Sequence, residues 1–289
     1  MTQDLAASIR ARLLNLAKAN NTDFNQILVR YALERFLYRI SQSKYSDQFL
    51  LKGALLFALW YDMPHRPTRD ADLLGFGDSN LKSLEETFRD ISSMMVDDGV
   101  VFDPDSVTVE EIRKEAGYSG ARVVISANLA KARTKTQIDI GFGDVVTPNP
   151  IDATYPTLLD DMPPPKLRVY PIYTVIAEKL HAIVLLGMTN TRLKDYFDLQ
   201  VLLDREEIDI HILTEAISAT FVRRGMPIPT ELPIGLSDEF AKDPTRQKLW
   251  DAFLKKNDIK SMPLTTTVNQ LKLLFEKYLK LHHILNSKL

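Results

Sequence analysis

The chain has no cysteine, which excludes disulfides, thiolate metal ligands and cysteine nucleophiles together. Histidine is scarce, five in 289 residues. His65, His181, His211 and the His282-His283 pair lack metal-ligand spacing, and His181 is expected to pack or face solvent. Glycine is thin too. Gly75-Phe76-Gly77 and Gly141-Phe142-Gly143 lack the third glycine of a dinucleotide fingerprint, and no Walker motif is present. Charge of either sign is nearly cancelled, at −2 net, so any nucleic-acid surface must be a local patch. No run of transmembrane length is free of charges. The first twenty residues carry an early acid, Asp4, and no signal-peptide core. A cytoplasmic protein with no membrane partner is expected.

What is present describes an ordinary globular chain, 45% hydrophobic and 26% charged. Its length suits one large or two modest domains. Apolar spacing predicts helices over 4–19 and 24–43, the second capped from Asn21-Thr22-Asp23, and a third over 81–96. Strands are expected at 49–51, around Asp70–Leu74, and at 107–111, 121–127 and 136–140. A stiff passage follows, with Pro148, Pro150, Pro156 and the Pro163-Pro164-Pro165 run. Helices dominate thereafter: 170–186, 194–203, 211–221, 244–256 and 266–285. We expect a mixed-sheet domain over 1–165 and a helical domain over 166–289.

Chemistry concentrates between Phe49 and Asp78. A buried strand ends at Lys52-Gly53, a short apolar helix follows, and Asp70-Ala71-Asp72 then opens a second strand. Carboxylates one residue apart on a strand share a face. Like charges so close repel, and a divalent cation relieves the conflict, with oxygen-only ligands favouring Mg²⁺ or Mn²⁺. Further on, Asp139 between Ile138 and Ile140 stands alone on the opposite face of its strand.

With Lys52, Gly53, Arg66, Thr68, Asp70, Asp72 and Leu73 in this order, the stretch resembles the nucleotidyltransferase fold. More narrowly it resembles the AbiEii/AbiGii toxin family, which includes the MenT toxins. Ala54 stands where that family usually has Gly or Ser, offering a backbone N–H but no hydroxyl. Two downstream segments extend the resemblance: Glu178-Lys179-Leu180 on one helix, and Arg192-Leu193-Lys194-Asp195-Tyr196-Phe197-Asp198 on the next.

The resemblance implies an α+β nucleotidyltransferase fold with N-terminal helices and a C-terminal helical domain. It implies catalysis by Asp70, Asp72, Asp139, Lys179 and Asp195, with Asp198 as the alternative to Asp195. Metal would be held by Asp70, Asp72 and Asp139, and nucleotide by Lys52, Gly53, Ala54, Arg66, Thr68 and Lys179. Asp139 would also activate the attacking hydroxyl. The implied activity is a Mg²⁺-dependent toxin, with Mn²⁺ as a substitute, that adds nucleotides from NTP to the 3′ acceptor end of tRNA. A cognate antitoxin would restrain it. Transfer to a protein or small molecule, and a silent binding module of the same fold, are the alternatives. Basic residues recur at Arg113, Lys114, Arg122, Lys131, Arg133 and Lys135, and again at Arg223-Arg224. Either group could track an RNA backbone, against the default of a solvated face.

Overall fold

A computed structural model describes residues 3–61, 66–113 and 119–286. His65 and Lys114 lie outside the described residues. The chain forms two compact units, one made of Met1–Gly143 with Ile151–Val169, the other of Asp144–Pro150 with Tyr170–Leu289.

In the first unit, α1 (Gln3–Ala19) and α2 (Phe24–Gln42) precede β1 (Phe49–Lys52). A 3₁₀ turn, Gly53–Leu55, leads into α3 (Leu56–Tyr61), followed by β2 (Asp70–Gly75) and α4 (Leu81–Ser92). Then come β3 (Val100–Arg113), β4 (Ser119–Leu129), β5 (Ala132–Phe142), β6 (Ile151–Thr154) and β7 (Lys166–Val169). Among the described residues seven strands make one mixed sheet, in the order β3-β4-β5-β2-β1-β7-β6. Asp23 caps α2 through the backbone N–H groups of Asn25 and Gln26, as its position before the apolar face predicts.

Strand alternation decides which face is dry. Leu51, Leu73, Ile140 and Ala121 stand in one cross-strand row and are buried. On that face Phe36 of α2 stacks on Phe88 of α4 and meets Phe102 of β3 edge-on, with Phe49 of β1 against Phe88. Residues one step along each strand point the other way, and these carry the charges. The short strands β6 and β7 were not expected from the proline-rich sequence. β3 also begins earlier than its expected 107–111, because Pro104 sits where the pairing register shifts between Asp103 and Thr108.

The ion pair of Arg39 with Asp98 is buried within this unit. Arg39 donates to Asp98 at 2.6 Å and 3.2 Å, and to the carbonyls of Met94 and Val100. Both side chains are essentially sealed. Arg39→Ala would leave Asp98 buried without its counter-ion, and we expect about 3–5 kcal/mol of lost stability in urea denaturation. A loss under about 1 kcal/mol would show the pair to be dispensable.

The second unit is helical: α5 (Ile172–Leu186), α6 (Leu193–Arg205), α7 (Ile210–Arg223), the short α8 (Asp238–Lys242), α9 (Pro244–Asn257) and α10 (Leu264–Asn286). Segment Ile172–Thr189, mean hydropathy 1.4, is apolar and long enough to cross a membrane by composition alone. Here Val175, Ile176, Leu180 and Ile183 are core, and α5 packs against α6 and α7.

Candidate active site

The polar face of the sheet carries the acids. Lys52 pairs in register with Asp72, Asp72 with Asp139, Asp139 with Arg122, and Arg122 with Glu110. Side chains directly opposite each other share a face. Five neighbouring strands therefore present one row of charges: Glu110, Arg122, Asp139, Asp72, Lys52. Asp70 is two residues from Asp72 and points the same way. The three carboxylates expected from the sequence are thus brought to one face.

Asp70 and Asp139 are each held by a neighbour. Thr68 Oγ1 donates to Asp70 Oδ1 at 2.6 Å. Arg122 grips Asp139 with both arms, Nε to Oδ1 and Nη2 to Oδ2 at 2.8 Å each, and Gln137 adds a third donor at 3.2 Å. The hydrogen bond to Asp139 raises the Arg122 pKa above its ordinary value against partial desolvation, helped by the charges of Asp139, Glu110 and Asp70. Asp72 lies against Gly53, whose φ is +74°, and a Cβ at position 53 would stand 2.1 Å from Asp72 Oδ2. The glycine is needed twice, for its backbone angle and for the close approach. Lys52 and Ala54 are buried on either side of it, while Arg66 and Thr68 lie half-buried in the segment before β2.

The sequence did not reveal that Arg122 is committed to Asp139. As a candidate RNA contact it is already engaged, whereas Lys131, Arg133 and Lys135 of the same basic group are exposed. Arg133, Lys135, Gln137 and Asp139 alternate along β5 and share its polar face.

In the helical unit, Lys179 of α5 reaches two carboxylates on α6. Its Nζ lies 2.8 Å from Asp195 Oδ1 and 2.7 Å from Asp198 Oδ2. Asp195 and Asp198, three residues apart, occupy the same buried helix face. Lys179 thus contacts both of the carboxylates between which the sequence left the choice open. Arg192 Nε stands 2.8 Å from Asp195 Oδ2. Desolvation alone would raise the Asp195 pKa, but Lys179 and Arg192 outweigh it and hold the carboxyl below its usual range. Lys194, by contrast, is exposed.

A second polar network in this unit went unread in the sequence. Arg224 lies 2.9 Å from Asp144 and 3.3 Å from Glu178, which also accepts from the Tyr170 hydroxyl at 3.2 Å. Arg224 is therefore engaged, leaving Arg223 as the exposed member of that basic pair. His181 packs edge-on against Phe221 and faces Arg224 through Nδ1 at 3.4 Å. Burial and the neighbouring guanidinium lower its pKa to about 4, so it is neutral at pH 7. Among the described residues no three His, Asp or Glu side chains already stand in metal-holding geometry. A cavity of about 410 Å³ lies elsewhere, at the far ends of β2 and β5 against α4, between Phe76, Phe142 and Thr87. None of the expected site residues lines it.

Residues 35–272 match the family described as nucleotidyl transferase AbiEii toxin, type IV toxin–antitoxin system. Among solved structures, JHP933 from Helicobacter pylori is 18% identical with a TM-score of 0.48, over 89% of this chain and 94% of that one. Another H. pylori protein, named as a proposed nucleotidyltransferase, is 18% identical with a TM-score of 0.46, over 88% and 95%. No curated protein matches the chain.

Proposed function

Because the chain belongs to the AbiEii nucleotidyl transferase toxin family of type IV toxin–antitoxin systems, we propose that it transfers a nucleoside monophosphate from NTP to the 3′ acceptor end of tRNA. The observation that carries this reading is the single-face row of Asp139 and Asp72 with Asp70 beside it. In the reaction, the terminal hydroxyl oxygen bonds to the α-phosphorus, the bond to the bridging oxygen breaks, and pyrophosphate leaves. Family membership implies an antitoxin counterpart. With tRNA and NTP as substrates, the setting is cytoplasmic.

The donor set suits Mg²⁺ or Mn²⁺: three carboxylates, no sulfur, no imidazole. Asp70, Asp72 and Asp139 would hold the cation, and Asp139 must first release Arg122. A bound divalent cation would supply neutralisation of the phosphate charge that builds during transfer. Lys52 sits at the end of the same row, beside the Gly53 turn, and is assigned to the nucleotide with Gly53, Ala54, Arg66 and Thr68. Asp139 is assigned the proton of the attacking hydroxyl. Lys179, set by Asp195 and Asp198, is assigned by the family resemblance to the same reaction.

Incubation with labelled NTP, Mg²⁺, total tRNA and lysate protein tests the acceptor. Label in the RNA fraction supports this reading, and label in protein or small molecules replaces tRNA as the acceptor. The basic run on β5 makes a further prediction. Arg133→Gln with Lys135→Gln should flatten the slope of log affinity for tRNA against log salt by roughly 0.7 per lost contact, leaving NTP affinity intact. An unchanged slope would move the RNA track off this sheet.

A further inference from the structure

We propose that Arg122 is the internal counter-ion of the acidic face, competing with a divalent cation for Asp139. The inference rests on the reading that this face takes such a cation. Both oxygens of Asp139 are engaged by one guanidinium at 2.8 Å. A carboxylate gripped in this bidentate way cannot offer an oxygen to a cation until at least one of the two bonds is given up. Arg122 and Lys52 bracket Asp139 and Asp72 in the row, so the adjacent acids are balanced from either side without metal.

The exchange has a route. The Asp139 side chain is 12% exposed, whereas that of Arg122 is 34% exposed. The guanidinium can therefore turn toward solvent while the carboxylate stays in place. Glu110, exposed on β3, is the cross-strand partner of Arg122 on its other side. It already acts on Arg122 electrostatically, and it is positioned to receive the guanidinium when Asp139 is taken. Arg122 thus sets how much cation is needed to open the acidic face, and Glu110 biases that balance toward opening.

Titration of the full chain with Mn²⁺ alone, followed by electron paramagnetic resonance of free Mn²⁺, reads this directly without turnover. Arg122→Gln is expected to bind Mn²⁺ about fivefold more tightly than wild type, since the competitor is gone. Glu110→Gln, a change at an exposed position, should bind it more weakly, because Arg122 loses its alternative partner. Asp72→Ala serves as the control that removes a cation ligand. Unchanged or weaker binding by Arg122→Gln, or unchanged binding by Glu110→Gln, overturns the counter-ion role. If wild type binds and Asp72→Ala does not, the cation reading itself survives that result. Absence of Mn²⁺ binding in wild type overturns both.

Discussion

Asp72→Ala is expected to reduce nucleotide transfer by a factor on the order of 10³ or more, with the protein still folded. Asp72 is the central acid: it lies opposite Asp139 on one side and Lys52 on the other, two residues from Asp70. Its removal relieves repulsion with Asp139 and loses attraction to the buried Lys52, so thermal unfolding should shift by only a few degrees. Gly53→Ala should reproduce the defect without changing any charge. Its new Cβ would need the space of Asp72 Oδ2, 2.1 Å away, at a backbone φ of +74° that disfavours a side chain. Transfer assays and melting curves measured together separate loss of the site from loss of the fold. Retained activity in Asp72→Ala would remove this face from the chemistry.

Lys179→Ala should carry the second large effect, and on two properties at once. It should weaken NTP binding, and it takes the shared ammonium from the buried Asp195 and Asp198. Breaking a buried charge group of this kind costs about 3–5 kcal/mol. Lys194→Ala, on the exposed side of α6, should change stability by no more than about 0.5 kcal/mol. The pH dependence follows from the depressed Asp195 pKa. Its ion pairing stabilises the fold fully above about pH 4, the unfolded value, and fades as pH falls through the folded value. Lys179→Ala should therefore lose part of the acid-side slope seen in wild type. Chemical denaturation at several pH values, with nucleotide titration under folded conditions, checks both claims. Equal effects from the two lysines would remove Lys179 from nucleotide binding and show its buried pairing to be dispensable.

The sequence carried the acids and the turn more clearly than their partners. Asp70 and Asp72 are legible because strand alternation is local, and Asp139 because two isoleucines flank it. The commitment of Arg122 to Asp139 is not, since it depends on the register between β4 and β5, two strands joined by a turn whose alignment no single segment encodes. The same holds for Lys179 with both Asp195 and Asp198, which requires the packing of α5 on α6. β6 and β7 were hidden because four-residue strands inside a proline-rich passage have too little alternation to register. The early half of β3 was hidden by Asp103, Pro104 and Asp105, which read as a loop and fold as an irregular stretch of an edge strand.

Transfer of a nucleoside monophosphate is tested most directly by the position of the label in NTP. Wild type and Asp72→Ala would be incubated in parallel with tRNA, Mg²⁺ and NTP labelled on either the α- or the γ-phosphate. We expect α-label in the tRNA, γ-label released as pyrophosphate, and neither outcome with Asp72→Ala. Transfer of the γ-label to the acceptor, or equal α-label incorporation by the variant, would contradict it.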